Sequence, residues 1–259
     1  MKMNNIAFLI GNIVIYWNQI VAVLGIIAGC VFVFALRPYT KIKIKALIFW
    51  MPCEFILSFL LSRLLYFYCD PEQPVSFGAL FTGITDRHYS AMGLLAGTYF
   101  ASWIIWRFHL VKHLGNLLDT VSPGVVLMLA LTRLSYLFTD TFHSTLTVAS
   151  PFWHELPFAV QTTDTAGNTS YVFAPFFISF LFLVFTAIVI TILRNRFCHP
   201  GDLFYVTFTC YALSEIVLES TRYDSPKWHL HLLTFLNPYV SFISFSMVVC
   251  GSCLIVTFI

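Results

Sequence analysis

Two arginines lie inside long apolar segments of this chain, Arg63 in FILSFLLSRLLYFY and Arg133 in GVVLMLALTRLSYLF. An ionisable side chain at bilayer depth is costly, so it normally faces the interior of a helix bundle and marks a functional site. A planar guanidinium can form two parallel hydrogen bonds with a phosphate group. If topology brings the two arginines to a common depth, they would suit the phosphate of a lipid headgroup.

Polar residues of two other apolar segments are expected at the same level. Tyr211, Glu215 and Glu219 are spaced by four residues, so on a helix they share one face. Ser90 stands where the segment after Arg63 is expected to begin. Together these side chains predict a lipid-headgroup site in the outer leaflet.

A simpler interpretation of the arginines remains open. Either Arg63 or Arg133 could pair with an acidic residue and merely hold two helices together. The acidic candidates within apolar segments are Glu54, Glu215 and Glu219. The sequence does not choose between an ion pair and a lipid site for a single buried arginine.

Composition establishes the broad class of protein. The chain has 259 residues, of which 59% are hydrophobic and 10% charged, with a mean hydropathy of +0.83. A soluble domain carries roughly 25% charged residues, so this chain cannot cover a water-exposed surface. The seven cysteines are scattered, and we interpret them as small packing residues rather than a disulfide framework.

Apolar runs near the length of a bilayer crossing define the architecture. We predict an all-α integral membrane protein with seven transmembrane helices in a single polytopic domain, residues 1–259. The predicted spans are residues 20–36, 46–68, 89–106, 121–138, 171–193, 203–218 and 239–259. The first 17 residues are predicted to form an interfacial segment leading into the first span.

Orientation follows from the distribution of lysine and arginine, which favour cytoplasmic loops. With the N-terminus outside, the inner loops hold eight basic residues and the outer segments hold four. The longest outer loop, residues 139–170, has none. We therefore predict the N-terminus outside, the C-terminus inside, and residues 139–170 as a small irregular extracytoplasmic element.

Several motifs in these segments occur in the order and spacing of one known enzyme family. Residues 62–66 (SRLLY) are similar to its Gly-Arg-(Ile/Leu)-x-Tyr, and residues 90–97 (SAMGLLAG) align with its Ser-x-His/Tyr-Gly-Gly-Leu-Ile-Gly. Asp119, Pro123 and Arg133 keep the spacing from an Asp-x-x-x-Pro opening to its signature Gly-Arg-Leu-Gly-Asn. The chain resembles prolipoprotein diacylglyceryl transferase, a seven-helix bacterial enzyme, over nearly its whole length.

The sixth predicted span carries a further part of the resemblance. Residues 211–224 (YALSEIVLESTRYD) are similar to the family's Tyr-Gly-x-x-Arg-x-x-x-Glu-x-x-Arg-x-x-Asp. Tyr211, Glu219 and Arg222 hold their places in this motif, while Asp224 falls one position early.

The resemblance implies an activity and a set of site residues. Members transfer a diacylglyceryl group from phosphatidylglycerol to the cysteine thiol of a lipoprotein precursor in the bacterial cell membrane. No metal, other cofactor or nucleic acid is implied; the partners are an anionic phospholipid, a precursor with a lipobox cysteine and the membrane. The implied catalytic residues are Arg133, Tyr211 and Glu219. The implied substrate-binding residues are Arg63, Tyr66, Ser90, Gly93, Asp119, Glu215 and Arg222.

The chain also departs from the family pattern at positions that bear on chemistry. Met92 stands where many members have a proton-transferring His or Tyr, and Glu215 replaces an arginine. Tyr136 and Thr141 replace an Asn and a Glu. Deprotonation of the thiol would then need Tyr89, Glu215, a water or the substrate's own ionisation. The alternative function is a non-catalytic or substrate-shifted phospholipid-binding paralogue.

Overall fold

A computed structural model describes residues 6–10, 13–40, 42–69, 90–138, 144, 146–163, 169–196 and 199–219. These residues are mainly helical, which confirms the helical part of the predicted fold class, while the seven spans and their orientation stay predictions. The helices are α1 Trp17–Thr40, α2 Ile44–Cys69, α3 Ala91–Arg107, α4 Leu114–Ser135, α5 Pro151–His154, α6 Pro175–Leu193 and α7 Asp202–Glu219. The strands are β1 Ile6–Ile10, β2 Ile13–Tyr16, β3 Ala159–Thr163 and β4 Thr169–Phe173.

Four helical segments of the described part are long and apolar enough to cross a membrane. They are Trp17–Arg37, Ile44–Leu65, Leu114–Phe138 and Pro175–Leu193. A helix of about 20 apolar residues spans the hydrocarbon core of a bilayer. The structure therefore fits membrane insertion of α1, α2, α4 and α6. The predicted seventh span, residues 239–259, lies outside the described residues.

Helix α4 is the centre of the bundle. In the apolar 18-residue stretch of α4, 67% of the residues are buried against other parts of the protein. The corresponding share is 22% in α1 and α2 and 33% in α6. Its residues Leu117, Val121, Val125 and Leu129 recur every four positions and are all buried. Helices α1, α3, α6 and α7 pack around α4, so α4 sets the relative positions of most other helices.

Helices α2 and α3 approach each other closely at small residues. A Cβ atom on Gly97 would lie 2.5 Å from the Cα of Ser58, and one on Gly93 would lie 2.6 Å from the carbonyl carbon of Leu61. Transmembrane helices commonly meet at such small-xxx-small surfaces because they let two backbones come together. The glycine spacing of α3 therefore determines where α2 packs.

Four polar contacts, each one helical turn from the next, align α2 with α3. They are Trp50 Nε1 to Ser102 Oγ at 3.1 Å, Thr98 Oγ1 to Glu54 Oε1 at 2.8 Å, Ser58 Oγ to the Leu94 carbonyl at 3.2 Å, and Ser62 Oγ to the Ser90 carbonyl at 2.5 Å. Each step of four residues along α2 is matched by a step of four back along α3. These four contacts, which we call the α2–α3 ladder, thus fix an antiparallel register for the two helices.

The relative directions of other helices also follow from specific contacts. Helix α1 runs antiparallel to α4, with Gly29 facing Gly124 so closely that a Cβ on Gly29 would lie 2.7 Å from the Gly124 carbonyl oxygen. Helix α7 runs parallel to α4. Asp119 contacts Gly201, just before α7, and Arg133 contacts Glu215. The step from Asp119 to Arg133 and the step from Gly201 to Glu215 are both 14 residues in the same chain direction. These directions agree with the alternating inward and outward spans that the sequence predicts.

Two β-hairpins add to the helical architecture. Strands β1 and β2 pair antiparallel where the sequence predicts only an interfacial segment, with Ile10 opposite Ile13. In residues 139–170 we predicted irregular structure, but β3 pairs with β4 from Ala159↔Phe173 to Thr163↔Thr169. That prediction was incomplete, because these residues form a hairpin rich in the β-branched residues that favour strands.

The predicted starts of two spans differ from the structure by four residues or more. The fifth span does not begin at residue 171: Tyr171 lies in β4, and α6 begins at Pro175, a residue favoured in the first helical turn because its missing N–H costs nothing there. The fourth span begins at Leu114 rather than at residue 121. Its first turns contain polar groups that make local bonds, such as Thr120 Oγ1 to the Asn116 carbonyl at 2.6 Å.

Substitution of Gly97 by alanine tests the α2–α3 contact. The added methyl group would meet the Ser58 backbone, so we expect the free energy of unfolding to fall by about 1–3 kcal/mol, a usual cost of overpacking. Equilibrium unfolding in mixed detergent micelles measures the change. Phe100→Leu, on the exposed face of α3, serves as the control and should change little. An unchanged stability for Gly97→Ala would contradict the close approach.

Candidate functional site

The two arginines lie at the same end of the bundle, which we call the arginine end. Arg63 is next to Ser62, which contacts Ser90 at the start of α3. A short connection, residues 108–113, then turns the chain from α3 into α4. Helix α3 runs away from this end over roughly 26 Å, starting at Ser90. Helix α4 runs back toward it over about 28 Å as far as Arg133, at about 1.5 Å per residue.

Arg133 forms a buried ion pair with Glu215. Its Nη2 donates to Glu215 Oε1, and the two side chains are only 5% and 4% exposed. The ring of Tyr136, the residue directly after α4, has its centroid 6.0 Å from the guanidinium carbon of Arg133. The interpretation of Arg133 as a partner for an acidic residue is therefore confirmed, and Glu215 is that residue.

Arg63 is buried in a different setting. Its side chain is 1% exposed, and its guanidinium carbon lies 5.9 Å from the centroid of the Phe59 ring, one turn earlier on α2. An aromatic face attracts a guanidinium at this distance. The bundle therefore holds positive charge at this end on two separate helices, α2 and α4.

Ser90 and Gly93 lie beside Arg63 and join α3 to α2. The Ser90 backbone N–H donates to the Ser62 carbonyl at 3.0 Å, and the Ser90 carbonyl accepts from the Ser62 hydroxyl. Gly93 contacts the backbone of the same turn. In this structure both residues position the helix that carries Arg63.

Helix α7 supplies three of the predicted site residues. Tyr211 is 1% exposed and lies one turn deeper than Glu215, with its carbonyl accepting from Ser214 Oγ at 2.7 Å. Glu219 is the last residue of α7, one turn beyond Glu215. The side chain of Glu219 lies outside the described part of the structure, as does that of Tyr66 on α2, and Arg222 lies outside it entirely.

Asp119 is not brought together with the other predicted site residues. Its Oδ2 accepts from the Gly201 N–H at 2.7 Å, and its Oδ1 accepts from the Phe204 N–H at 3.0 Å. It precedes Arg133 by 14 residues, which is about 21 Å along α4. The predicted contact of Asp119 with substrate stays a prediction; in the structure its carboxylate binds backbone N–H groups at the start of α7 and fixes the position of that helix.

Glu54 does not pair with an arginine in the described structure, although the sequence left that option open. Its buried carboxylate accepts hydrogen bonds from the hydroxyls of Ser58 and Thr98, both at 2.8 Å. It precedes Arg63 by nine residues, about 14 Å along α2. The i, i+4 spacing of Glu54 and Ser58 was the available signal for this cluster.

Two aspects of site chemistry follow from the described residues. Met92 is buried, and its thioether cannot accept a proton as the His or Tyr of the family motif would. Among the described residues, no group of three or more His, Cys, Asp or Glu side chains could hold a metal ion. The arrangement offers positive charge, a carboxylate and aromatic faces, which can bind and polarise an anionic group.

Comparison with known proteins identifies the family of this chain. The family model described as prolipoprotein diacylglyceryl transferase matches residues 5–257, nearly the whole chain. This match confirms the resemblance found in the sequence motifs. No curated protein matches the chain.

A double-mutant cycle tests the Arg133–Glu215 ion pair. Glu215→Gln and Arg133→Met would each leave a buried charge without its partner, so each should cost about 3–5 kcal/mol of unfolding free energy. The double variant should lose clearly less than the sum of the two single variants. Unfolding in mixed micelles provides the values.

A matched control comes from the exposed pair of His199 and Asp202, whose nitrogen and oxygen are 3.5 Å apart. His199→Gln should change the stability by less than about 1 kcal/mol, as is usual for surface pairs. Additive losses in the Arg133 and Glu215 variants would show that the two side chains do not interact.

Proposed function

The chain belongs to the prolipoprotein diacylglyceryl transferase family, and on that premise we propose that it transfers a diacylglyceryl group from a phospholipid to a lipobox cysteine. Phosphatidylglycerol is the proposed donor, and a lipoprotein precursor in the membrane is the proposed acceptor. The observation that carries the proposal is the buried guanidinium of Arg133 at the arginine end, with Arg63 on a neighbouring side of the bundle.

The chemistry requires a sulfur nucleophile and a stabilised leaving group. The cysteine thiolate attacks the glyceryl carbon that carries the phosphate, because the thiol itself is a weak nucleophile. A carbon–sulfur bond forms, the carbon–oxygen bond breaks, and glycerol phosphate leaves with the electron pair. Negative charge grows on the departing oxygen, where a preorganised guanidinium lowers the barrier.

Each site residue has a proposed role in this reaction. Arg133 binds the phosphate and stabilises the leaving group, with Arg63 as a second positive charge. Tyr211 and Glu219 orient the arginine or the headgroup. The five N–H donors of a guanidinium allow Arg133 to contact Glu215 and a phosphate together.

A second candidate function is phospholipid binding without transfer. The Arg133–Glu215 ion pair favours it, because the carboxylate offsets the positive charge that would stabilise the departing glycerol phosphate. The buried Met92 favours it too, since a thioether cannot take up the proton of the thiol.

We further propose the membrane arrangement that this function needs. The chain would form one domain of seven spans in the bacterial cell membrane, with the N-terminus outside and the C-terminus inside. The antiparallel α1–α4 and α2–α3 pairs and the parallel α4–α7 pair support this arrangement. It places the arginine end toward the outer leaflet, where a translocated lipobox would arrive.

A transfer assay tests the reaction. Purified full-length protein is incubated with phosphatidylglycerol and a lipobox peptide, and mass spectrometry detects a thioether-linked diacylglyceryl adduct. We expect an adduct with the unmodified protein and a loss of at least about 10²-fold with Arg133→Ala, as for removal of a preorganised donor. Arg63→Ala should cause a smaller loss.

The control for this assay is Arg107→Ala, an exposed arginine at the opposite end of the bundle, which should leave the rate unchanged. All variants are first compared with the parent protein by size-exclusion chromatography and thermal unfolding. Bound phosphatidylglycerol without an adduct on any lipobox peptide would favour the binding role.

Cysteine labelling tests the orientation. Ala149→Cys, exposed in the segment before α5, should react with a membrane-impermeant maleimide added to intact cells. Lys112→Cys, exposed between α3 and α4, should react only after the membrane is opened. Labelling of the unmodified protein gives the background from native cysteines. The reverse pattern would place the arginine end in the cytoplasm and exclude the proposed reaction.

A further inference from the structure

We propose that Glu215 recognises the polar headgroup of the donor phospholipid by accepting hydrogen bonds from its hydroxyl or ammonium groups. The inference rests on the proposed function in one respect, since it assumes a phospholipid phosphate at Arg133. It goes further by naming the chemical class of headgroup that the site takes.

The first step concerns the capacity of the Glu215 carboxylate. An ionised carboxylate has two oxygens and about four positions at which it can accept a hydrogen bond. Among the described residues, the hydrogen bond to the Glu215 side chain comes from Arg133 Nη2 to Oε1. That single bond leaves acceptor capacity on a carboxylate that lies against the proposed phosphate-binding group.

The second step concerns charge. A phosphate and the Glu215 carboxylate around the same guanidinium are two negative groups within a few ångströms of each other. Two such charges repel strongly in a site shielded from water. A hydrogen-bond donor located between them relieves the repulsion, and the hydroxyls of a glycerol head or the ammonium of an ethanolamine head lie only about three or four bonds beyond the ester oxygen of the phosphate.

The third step concerns the fixed position of Glu215. Its side chain is 4% exposed, so bulk water has little access to the carboxylate. The start of α7 is fixed by the hydrogen bonds of Asp119 to Gly201 and Phe204, and Glu215 is therefore held in register with Arg133. Within the part of the chain that the structure describes, Arg133 is the donor to this carboxylate, so a bound headgroup can supply further donors.

The site therefore selects phospholipids whose heads carry donors next to the phosphodiester. Phosphatidylglycerol and phosphatidylethanolamine share this chemistry. Phosphatidylmethanol has the same charge as phosphatidylglycerol but no donor on its head, and the quaternary ammonium of phosphatidylcholine has no N–H. The comparison of phosphatidylglycerol with phosphatidylmethanol isolates the hydrogen bond from the net charge.

A competition experiment tests the inference. Purified full-length protein in detergent receives equal amounts of phosphatidylglycerol and phosphatidylmethanol with identical acyl chains, and native mass spectrometry measures the bound ratio. We expect the unmodified protein to enrich phosphatidylglycerol about ten-fold or more, the usual weight of one hydrogen bond to a charged group. A parallel mixture of phosphatidylethanolamine and phosphatidylcholine should show enrichment of the ethanolamine lipid.

Two variants assign the preference to Glu215. Glu215→Leu should bring the ratio of phosphatidylglycerol to phosphatidylmethanol to about one, because no acceptor remains. Glu215→Gln keeps an acceptor oxygen but no charge, so it should retain part of the preference for phosphatidylglycerol and lose more of the preference for phosphatidylethanolamine. Glu155→Gln, an exposed carboxylate outside the site, is the control and should bind like the parent.

The outcomes separate this inference from the proposed reaction. Equal binding of the two anionic lipids to the unmodified protein overturns the inference without any variant, and so does an undiminished preference in a folded Glu215→Gln protein. Enrichment of phosphatidylglycerol without a peptide adduct supports the inference and contradicts the reaction. Adducts formed equally well from phosphatidylglycerol and phosphatidylmethanol support the reaction and overturn the inference.

Discussion

The rest of the structure depends on the buried ion pair between Arg133 and Glu215. Removing two charges from water costs several kcal/mol for each ion, and only a close partner offsets that cost. The pair therefore requires α4 and α7 to lie side by side in one register. Asp119 satisfies the same requirement at the opposite end, because its carboxylate binds the backbone of the first turn of α7. Two polar contacts, 14 residues apart on each helix, thus fix one parallel helix pair.

A separate set of contacts fixes the other arginine. The ladder from Trp50 to Ser62 aligns α2 with α3, and Gly93 and Gly97 let their backbones meet. Helix α3 then packs on α4, so the two arginine-bearing helices are positioned through one shared neighbour. Polar groups have two different uses in this bundle. Those of the α2–α3 ladder bond to one another, although Oε2 of Glu54 has no partner among the described residues, whereas the arginine end holds two buried guanidinium groups, one of them paired with Glu215.

Much of the fold could be predicted from the sequence, because apolar run length and the distribution of basic residues are local properties. The membrane class, the described helices and their relative directions follow from these properties. Contacts between distant segments could not be predicted. The sequence offered Glu54, Glu215 and Glu219 equally as partners of the arginines, and only the α4–α7 register selects Glu215. Asp119 matched a family motif, yet its carboxylate binds backbone that lies 82 residues or more further along the chain.

The consequence of Glu215 for function depends on its partner being arginine rather than lysine. A lysine ammonium is a compact charge that one carboxylate largely satisfies, whereas the planar guanidinium presents donors on more than one edge. Arg133 can therefore hold Glu215 and still bind a phosphate, and the acidic residue need not abolish the site. In our proposal it changes what the site recognises, from negative charge alone to a phosphate that carries hydrogen-bond donors. An acidic residue at this position is thus compatible with a family whose substrates are phospholipids, provided that the headgroup supplies what the carboxylate lacks.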